Sequence, residues 1–272
     1  MNKSWQGLTA VVTGASAGIG AAIARRLARA GMRVTLVARR PERLAQVADE
    51  IRAAGGAALA MPADLTVEAE RRMLFKQVIA QTGAPQVLIN NAGAGWYGYT
   101  AEMPWETARQ LLELNNAAAV HLSLLFLPEM LRSSGGHIVN IGSVVGGLPS
   151  QGVALYGATK AFLDHFTSAL HRELAGTGVH ASVVRAGAVT SDFCQTAARQ
   201  PGGMRLPTER MGITPERVAG AVWKLLQRPR PVCYVPAVLA FTPWVDRLFG
   251  PLINRLGPLL LRRQKASLRR LL

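Results

Sequence analysis

Short apolar runs alternate with longer amphipathic ones along most of the chain. Residues 8–13, 32–38, 57–61, 86–90, 136–142, 179–185 and 232–235 are brief apolar runs, and they predict seven buried strands. Helical spacing occupies 21–30, 42–54, 67–81, 104–132, 155–174 and 215–227. Gly31 and Gly55 follow the first two of these helices, and Thr214 is the expected N-cap of the last. Pro128 is expected to kink the late part of the 104–132 helix. Asn115 and Asn116 lie inside that helix among apolar neighbours, where a buried amide needs partners; one of the two could instead face solvent. Residues 191–212 lack clear periodicity and read as a mobile lid over a substrate site.

The alternation of strand and helix predicts an α/β fold. Its form is a doubly wound parallel sheet of seven strands, with helices on both faces and ligands at the strand carboxyl ends. No linker or internal repeat divides it, so residues 1–240 read as one dinucleotide-binding and catalytic domain and 241–272 as a C-terminal extension.

Composition narrows the function. Hydrophobic residues make up 49% of 272, ample for a core. Two cysteines, Cys194 and Cys233, form neither a disulfide framework nor a metal spacing, and the five histidines show no ligand pattern; no metal site is expected. The start of the chain lacks the apolar stretch of a signal peptide, and no run reaches the roughly 20 apolar residues of a spanning helix. A cytoplasmic location is the expectation. The net charge of +15 suits nucleic acid, an anionic membrane or a phosphorylated ligand, but no nucleic-acid-binding module is visible, so no nucleic-acid partner is expected.

Three stretches carry candidate chemistry. Gly14, Ala15, Ser16, Gly18, Ile19 and Gly20 form a glycine loop between the first strand and first helix, where bare backbone and a helix N-terminus can cradle a phosphate. At the end of the second strand stand Arg39 and Arg40, where an acidic residue would bond a ribose 2′-hydroxyl; a guanidinium there suits a 2′-phosphate, and favours NADP(H) over NAD(H). The same arginines could merely cap the next helix. Asp64 lies in the segment after the third strand, where it could receive an adenine amine or serve as an ordinary loop cap. Ser143 ends the fifth strand. Tyr156 and Lys160 are four apart and share a helix face, so the ammonium should lower the phenol's pKa and prepare it for acid–base work, with Ser143 reaching the same substrate oxygen. Taken alone, such a pair also describes a half-buried ring beside a solvated lysine.

Taken together, Thr13-Gly-Ala-Ser-Ala-Gly-Ile-Gly20, Asn90-Asn-Ala-Gly93, Ser143 and Tyr156-x-x-x-Lys160 resemble the short-chain dehydrogenase/reductase family over about residues 5–235. The resemblance implies a single-domain Rossmann fold, a homodimer or homotetramer, and a nicotinamide cofactor. It implies a catalytic set of Asn115, Ser143, Tyr156 and Lys160, with Lys160 also on the nicotinamide ribose and Asn115 anchoring a water that links Lys160 to solvent. Asp64 and Leu65 would border the adenine, Asn91 the ribose, and Val189 and Thr190 the carboxamide. Two departures stand out. Ala186-Gly187 replaces the family's usual Pro-Gly, and Ala17 stands where many NADP-using members have a basic residue.

From 241 onward, apolar residues recur at helical spacing, interrupted by Gly250-Pro251 and Gly257-Pro258, so a broken helix is expected. Residues 245–272 hold seven Arg/Lys and one acidic residue. Peripheral contact with an anionic membrane fits this pattern, as does packing on the core or across a dimer. The resulting expectation is an NADP(H)-dependent carbonyl reductase or alcohol dehydrogenase acting on a lipophilic substrate. The alternatives are a 3-oxoacyl thioester reductase and a non-catalytic NADP-binding scaffold.

Overall fold

A computed structural model describes residues 4–133, 135–190, 192–203 and 212–260. Its elements in order are β1 Thr9–Thr13, α1 Gly18–Arg29, β2 Arg33–Ala38, α2 Pro41–Ala53, β3 Ala57–Pro62, α3 Glu68–Thr82 and β4 Val87–Asn90. Then follow α4 Trp105–Leu112, a π-helical turn Glu113–Ala117, α5 Ala118–Arg132, β5 Gly136–Ser143, α6 Ala154–Glu173 and β6 Val179–Ala186. The chain continues through α7 Asp192–Ala198, α8 Pro215–Gln227, β7 Val232–Val235 and α9 Thr242–Leu260. All seven strands join one parallel sheet in the order β3-β2-β1-β4-β5-β6-β7.

The sheet is covered on both faces, which explains why its strands read as continuous apolar runs rather than alternating ones. Successive residues point to opposite faces. Val12 joins a core with Ile23 and Leu27 of α1, Leu44 and Ile51 of α2 and Val222 of α8. Its neighbour Val11 joins a second core with Leu74 and Val78 of α3, Phe126 of α5 and Leu170 of α6. Truncating a residue such as the fully buried Leu27 to Ala would cost about 2–5 kcal/mol.

The strand order reverses between β1 and β4, and that crevice is where α/β sheets of this kind place ligands. The glycine loop, Asn91, Ser143 and the turn after β6 all follow strand carboxyl ends at this edge.

Two expectations change, and one helix gains detail. Helix 105–132 continues through Pro128, and a π turn at 113–117 within it carries both asparagines. By length and composition this stretch could cross a membrane, but Leu122, Phe126 and Met130 bury one face against the sheet core. Within 191–212, residues 192–198 form α7; residues 191 and 204–211 lie outside the described residues. In the tail, α9 is continuous from Thr242 to Leu260. Its interior prolines, Pro251 and Pro258, each follow a glycine, which lacks the Cβ that normally clashes with the proline ring in helical geometry, while Pro243 sits in the first turn, where a proline is tolerated. Residues 261–272, with five of the tail's basic residues, lie outside the described residues.

Candidate active site

The glycine loop is built for close approach. Gly14 has φ +64 and Gly18 φ +53, a region that favours glycine. A Cβ on Gly20 would meet the Gly14 carbonyl oxygen at 2.3 Å and Asn91 Nδ2 at 2.5 Å. Asn91 locks the loop from the other side: its Nδ2 donates to the Thr13 carbonyl at 2.9 Å, and its backbone N–H donates to Thr13 Oγ1 at 3.0 Å. Ala15 is buried and donates its N–H to the Val37 carbonyl at 3.1 Å, while Ile19 packs on the α1-side core. The N-cap of α1, Ala17, offers no side-chain hydrogen bond, and the first turn holds no acidic residue. Its N–H groups and positive dipole end are thus left for an anion, and a cradle closed by glycines fits a dinucleotide pyrophosphate.

The two arginines after β2 divide their work. Arg40 Nη2 donates to Ser16 Oγ in the glycine loop at 3.3 Å. Arg39, with its side chain 67% exposed, stands 3.9 Å from Asp64 Oδ2. Asp64 Oδ1 also accepts from the Thr66 N–H and hydroxyl at 2.9 and 2.7 Å, so its carboxylate caps its own loop while facing Arg39. Leu65 is buried, and its carbonyl accepts from Arg71 Nη1 at 2.7 Å.

On the other side of the switch point, the π turn places Asn115. Its Oδ1 accepts from the Ala94 N–H at 2.8 Å, and its Nδ2 donates to the Ala94 carbonyl at 2.9 Å and to Thr159 Oγ1 at 3.1 Å. Asn116, also buried, donates to the Thr159 carbonyl at 2.9 Å. Both asparagines are therefore inward and partnered, and neither faces solvent. A Cβ on Gly93 would lie 3.1 Å from Asn115 Oδ1 and 3.7 Å from Lys160 Nζ, so that glycine lets the two side chains flank one point.

Lys160 is buried and donates to the Ile141 carbonyl at 2.9 Å. Burial lowers its ammonium to about 8, against the opposing pull of Asp164. Its Nζ lies 5.8 Å from the Tyr156 ring centroid. The expected lowering of the phenol by Lys160 is absent here. Burial pushes Tyr156 above its ordinary value, outweighing a hydrogen bond with Ser143 that favours the ionised form, and nearby Cys194 adds to the rise. The reason is geometric: the ammonium is turned to the Ile141 carbonyl. Ser143 Oγ also accepts from the Val145 N–H at 3.5 Å, capping the short turn after β5.

Apolar side chains surround the phenol. Tyr97 meets Tyr156 edge-on at 6.0 Å between centroids, and Phe193 of α7 lies 5.9 Å from it. Val153, Ala197 and Cys194 complete this small cluster. The wall is fastened by Trp96 Nε1 donating to the Pro201 carbonyl at 3.0 Å and Gln200 Nε2 to the Gly95 carbonyl at 3.3 Å. Val189 bridges Ile213, and the Thr190 N–H donates to the Ile213 carbonyl at 3.0 Å; both are set in the turn after β6.

Sequence reasoning missed several residues. Asp164, one turn beyond Lys160 on α6, pairs with Arg185 of β6 at 3.0 Å, and Arg185 reaches the Tyr234 hydroxyl of β7. Burial pushes the Asp164 carboxyl up to about 6, against Arg185 and Lys160. Buried Arg71 joins the Leu65 carbonyl to Glu113, the first residue of the π turn, at 2.9 Å.

The fold is a doubly wound dinucleotide-type sheet with a tyrosine, lysine, serine and asparagine gathered at its carboxyl edge. The chain matches the family described as short chain dehydrogenase over residues 8–202, and it belongs to that family of oxidoreductases. A ketoacyl reductase of Nostoc sp., HetN, is 38% identical over 224 residues, spanning 81% of this chain and 76% of that protein. A short-chain dehydrogenase from Sphingobium yanoikuyae in complex with NADPH superposes with a TM-score of 0.78 at 33% identity, covering 92% of this chain and 95% of that one. A short-chain dehydrogenase/reductase from Burkholderia phymatum in complex with NAD gives 0.82 at 26% identity, covering 92% and 96%.

Proposed function

We propose that the chain is an NADP(H)-dependent oxidoreductase interconverting a carbonyl and an alcohol on a lipophilic substrate, with Tyr156 as acid/base. The observation that carries this reading is Tyr156 itself: hydrogen-bonded to Ser143, one turn from a buried lysine, and walled by Tyr97, Phe193 and Val153. When bound, the dinucleotide supplies or accepts the hydride. Tyr156 gives its proton to the substrate oxygen in reduction and takes it back in oxidation. Such transfer is worth about 10²–10⁴-fold in rate. Ser143 holds the same oxygen by a hydrogen bond. Lys160 would meet the ribose. Asn115 commits its side chain to Ala94 and Thr159, so a water link to Lys160 would fall to its main-chain carbonyl. Val189 and Thr190 would border the carboxamide.

Relatives of this fold carry NADPH or NAD, so the cofactor assignment rests on this chain's own Arg39 and Arg40 beside the glycine loop. The aromatic wall supports a lipophilic carbonyl. Reduction of a 3-oxoacyl thioester is the second reading, favoured by the ketoacyl reductase relative. A homodimer or homotetramer is the proposed assembly, supported by the exposed Leu124 and Leu131 on α5 and Phe162 on α6.

The test is oxidation of NADPH and NADH by the purified chain against medium-chain aldehydes, retinal, ketosteroids and a 3-oxoacyl thioester. Turnover on one class, faster with NADPH and lost in Tyr156→Phe, is the expected result. Turnover retained in Tyr156→Phe, or equal use of NADH, overturns the corresponding assignment.

A further inference from the structure

We infer that α9 is a docking helix for an anionic phospholipid surface. The helix is continuous over 19 residues, and among its described side chains the large apolar ones lie bare: Trp244 is 60% exposed, Leu248 69%, Phe249 52% and Leu252 52%. With Val245 they fall within an arc of about 140° at 3.6 residues per turn. Phe241 and Val238 in the preceding turn extend the patch, at 68% and 66% exposure. A monomer rarely leaves so contiguous an apolar face to water.

Charge selects the occupant. Exposed Arg247 lies about 60° outside the Trp244 border of the arc, and exposed Arg255 lies about 20° inside it, just beyond Leu252 along the helix; their stems can lie along apolar surface while their heads reach outward. Residues 245–272 carry seven Arg/Lys against one acidic residue, in a chain of net charge +15. Pairing this helix with the same helix of a second copy would set like charges together. An anionic bilayer presents the opposite sign and accepts tryptophan and phenylalanine at its interface.

The placement matters. β7 ends at Val235, beside the end of β6, where Gly187 donates its N–H to the Val235 carbonyl at 2.8 Å. Leu239 packs against Gly187 so closely that a Cβ there would come within 2.8 Å. The helix therefore leaves from the sheet edge that carries Ser143 and the turn after β6, and docking would hold that edge toward the bilayer. The inference stands independently of the catalytic reading.

The test is sedimentation of the full chain with vesicles of phosphatidylcholine alone and of phosphatidylcholine mixed equally with phosphatidylglycerol. The expected result is pelleting with the mixed vesicles, weakened by salt. Leu248→Glu should lower the partition about tenfold or more, and Arg247→Glu with Arg255→Glu should lower it on anionic vesicles alone. Circular dichroism would show each variant folded; should Leu248→Glu fail to fold, Leu252→Glu replaces it. No pelleting of the full chain, or pelleting unaffected by all these variants, overturns the inference. So does light scattering in which Leu248→Glu splits an oligomer while the unaltered chain ignores vesicles, since the face would then belong to a second copy.

Discussion

Arg185 Nε stands 3.0 Å from Asp164 Oδ2, one helical turn past Lys160, in a site where both side chains are largely withdrawn from water. Removing one partner of such a pair leaves a buried charge alone. Arg185→Leu should therefore cost about 3–5 kcal/mol, and the double change Asp164→Leu with Arg185→Leu should recover much of it. Urea unfolding of the three proteins checks both statements.

The same carboxyl gives a pH signature. Its value rises from 3.8 to about 6 on folding. Between those values the folded chain binds more protons than the unfolded one, so Asp164's share of stability declines as pH rises through this window. Across this window the unfolding midpoint of the native chain should therefore fall relative to that of Asp164→Asn as pH rises, which parallel melts of the two proteins would read.

Tyr156 shifts in the direction that keeps its proton. As an acid for reduction it is ready throughout neutral pH; as a base for oxidation it must first ionise. The rate of alcohol oxidation should climb with pH while that of carbonyl reduction does not, until Lys160 begins to lose its charge near 8. Tyr156→Phe should lose about 10²–10⁴-fold in turnover and keep NADPH affinity, read by fluorescence titration.

Cofactor choice can be tested at two positions separately. Arg40 contacts Ser16 in the glycine loop, whereas Arg39 faces Asp64. If a 2′-phosphate is held by charge-assisted hydrogen bonds, each arginine to alanine should weaken NADPH by about 10–100-fold and leave NADH nearly unchanged. Ratios of kcat/KM for the two cofactors report this directly.

Gly20→Ala would drive a methyl to 2.3 Å from the Gly14 carbonyl. Overpacking of this kind should cost about 1–3 kcal/mol and open the phosphate cradle. Thermal unfolding with and without NADPH should show a lower melting point and a smaller shift on adding the cofactor.

Much of this was legible in the sequence because the signals were local. Strands covered on both faces read as apolar runs, and the glycine loop sat between a strand and a helix. Tyr156 and Lys160 shared a face because four residues make about one helical turn. What was hidden depended on contacts distant in sequence or on directions. Asp164 and Arg185 meet only because α6 packs on β6. Neighbouring arginines at a strand end point apart, so residues 39 and 40 could not be told apart by position. The seven residues of α7 are too few to show a period, and with them Phe193 was missed. The tail looked broken because its prolines were weighed without the glycines before them.

The reversal of strand order between β1 and β4 has a consequence for how such a protein can change over time. The residues proposed to choose the cofactor, Arg39, Arg40 and Asp64, hang from the β1–β3 half of the sheet, while Tyr97, Val153 and Phe193 hang from the other half. The two groups share only the crevice between them. Either preference can thus drift, be exchanged or be re-engineered on its own, and a library that varies one half need not re-optimise the other.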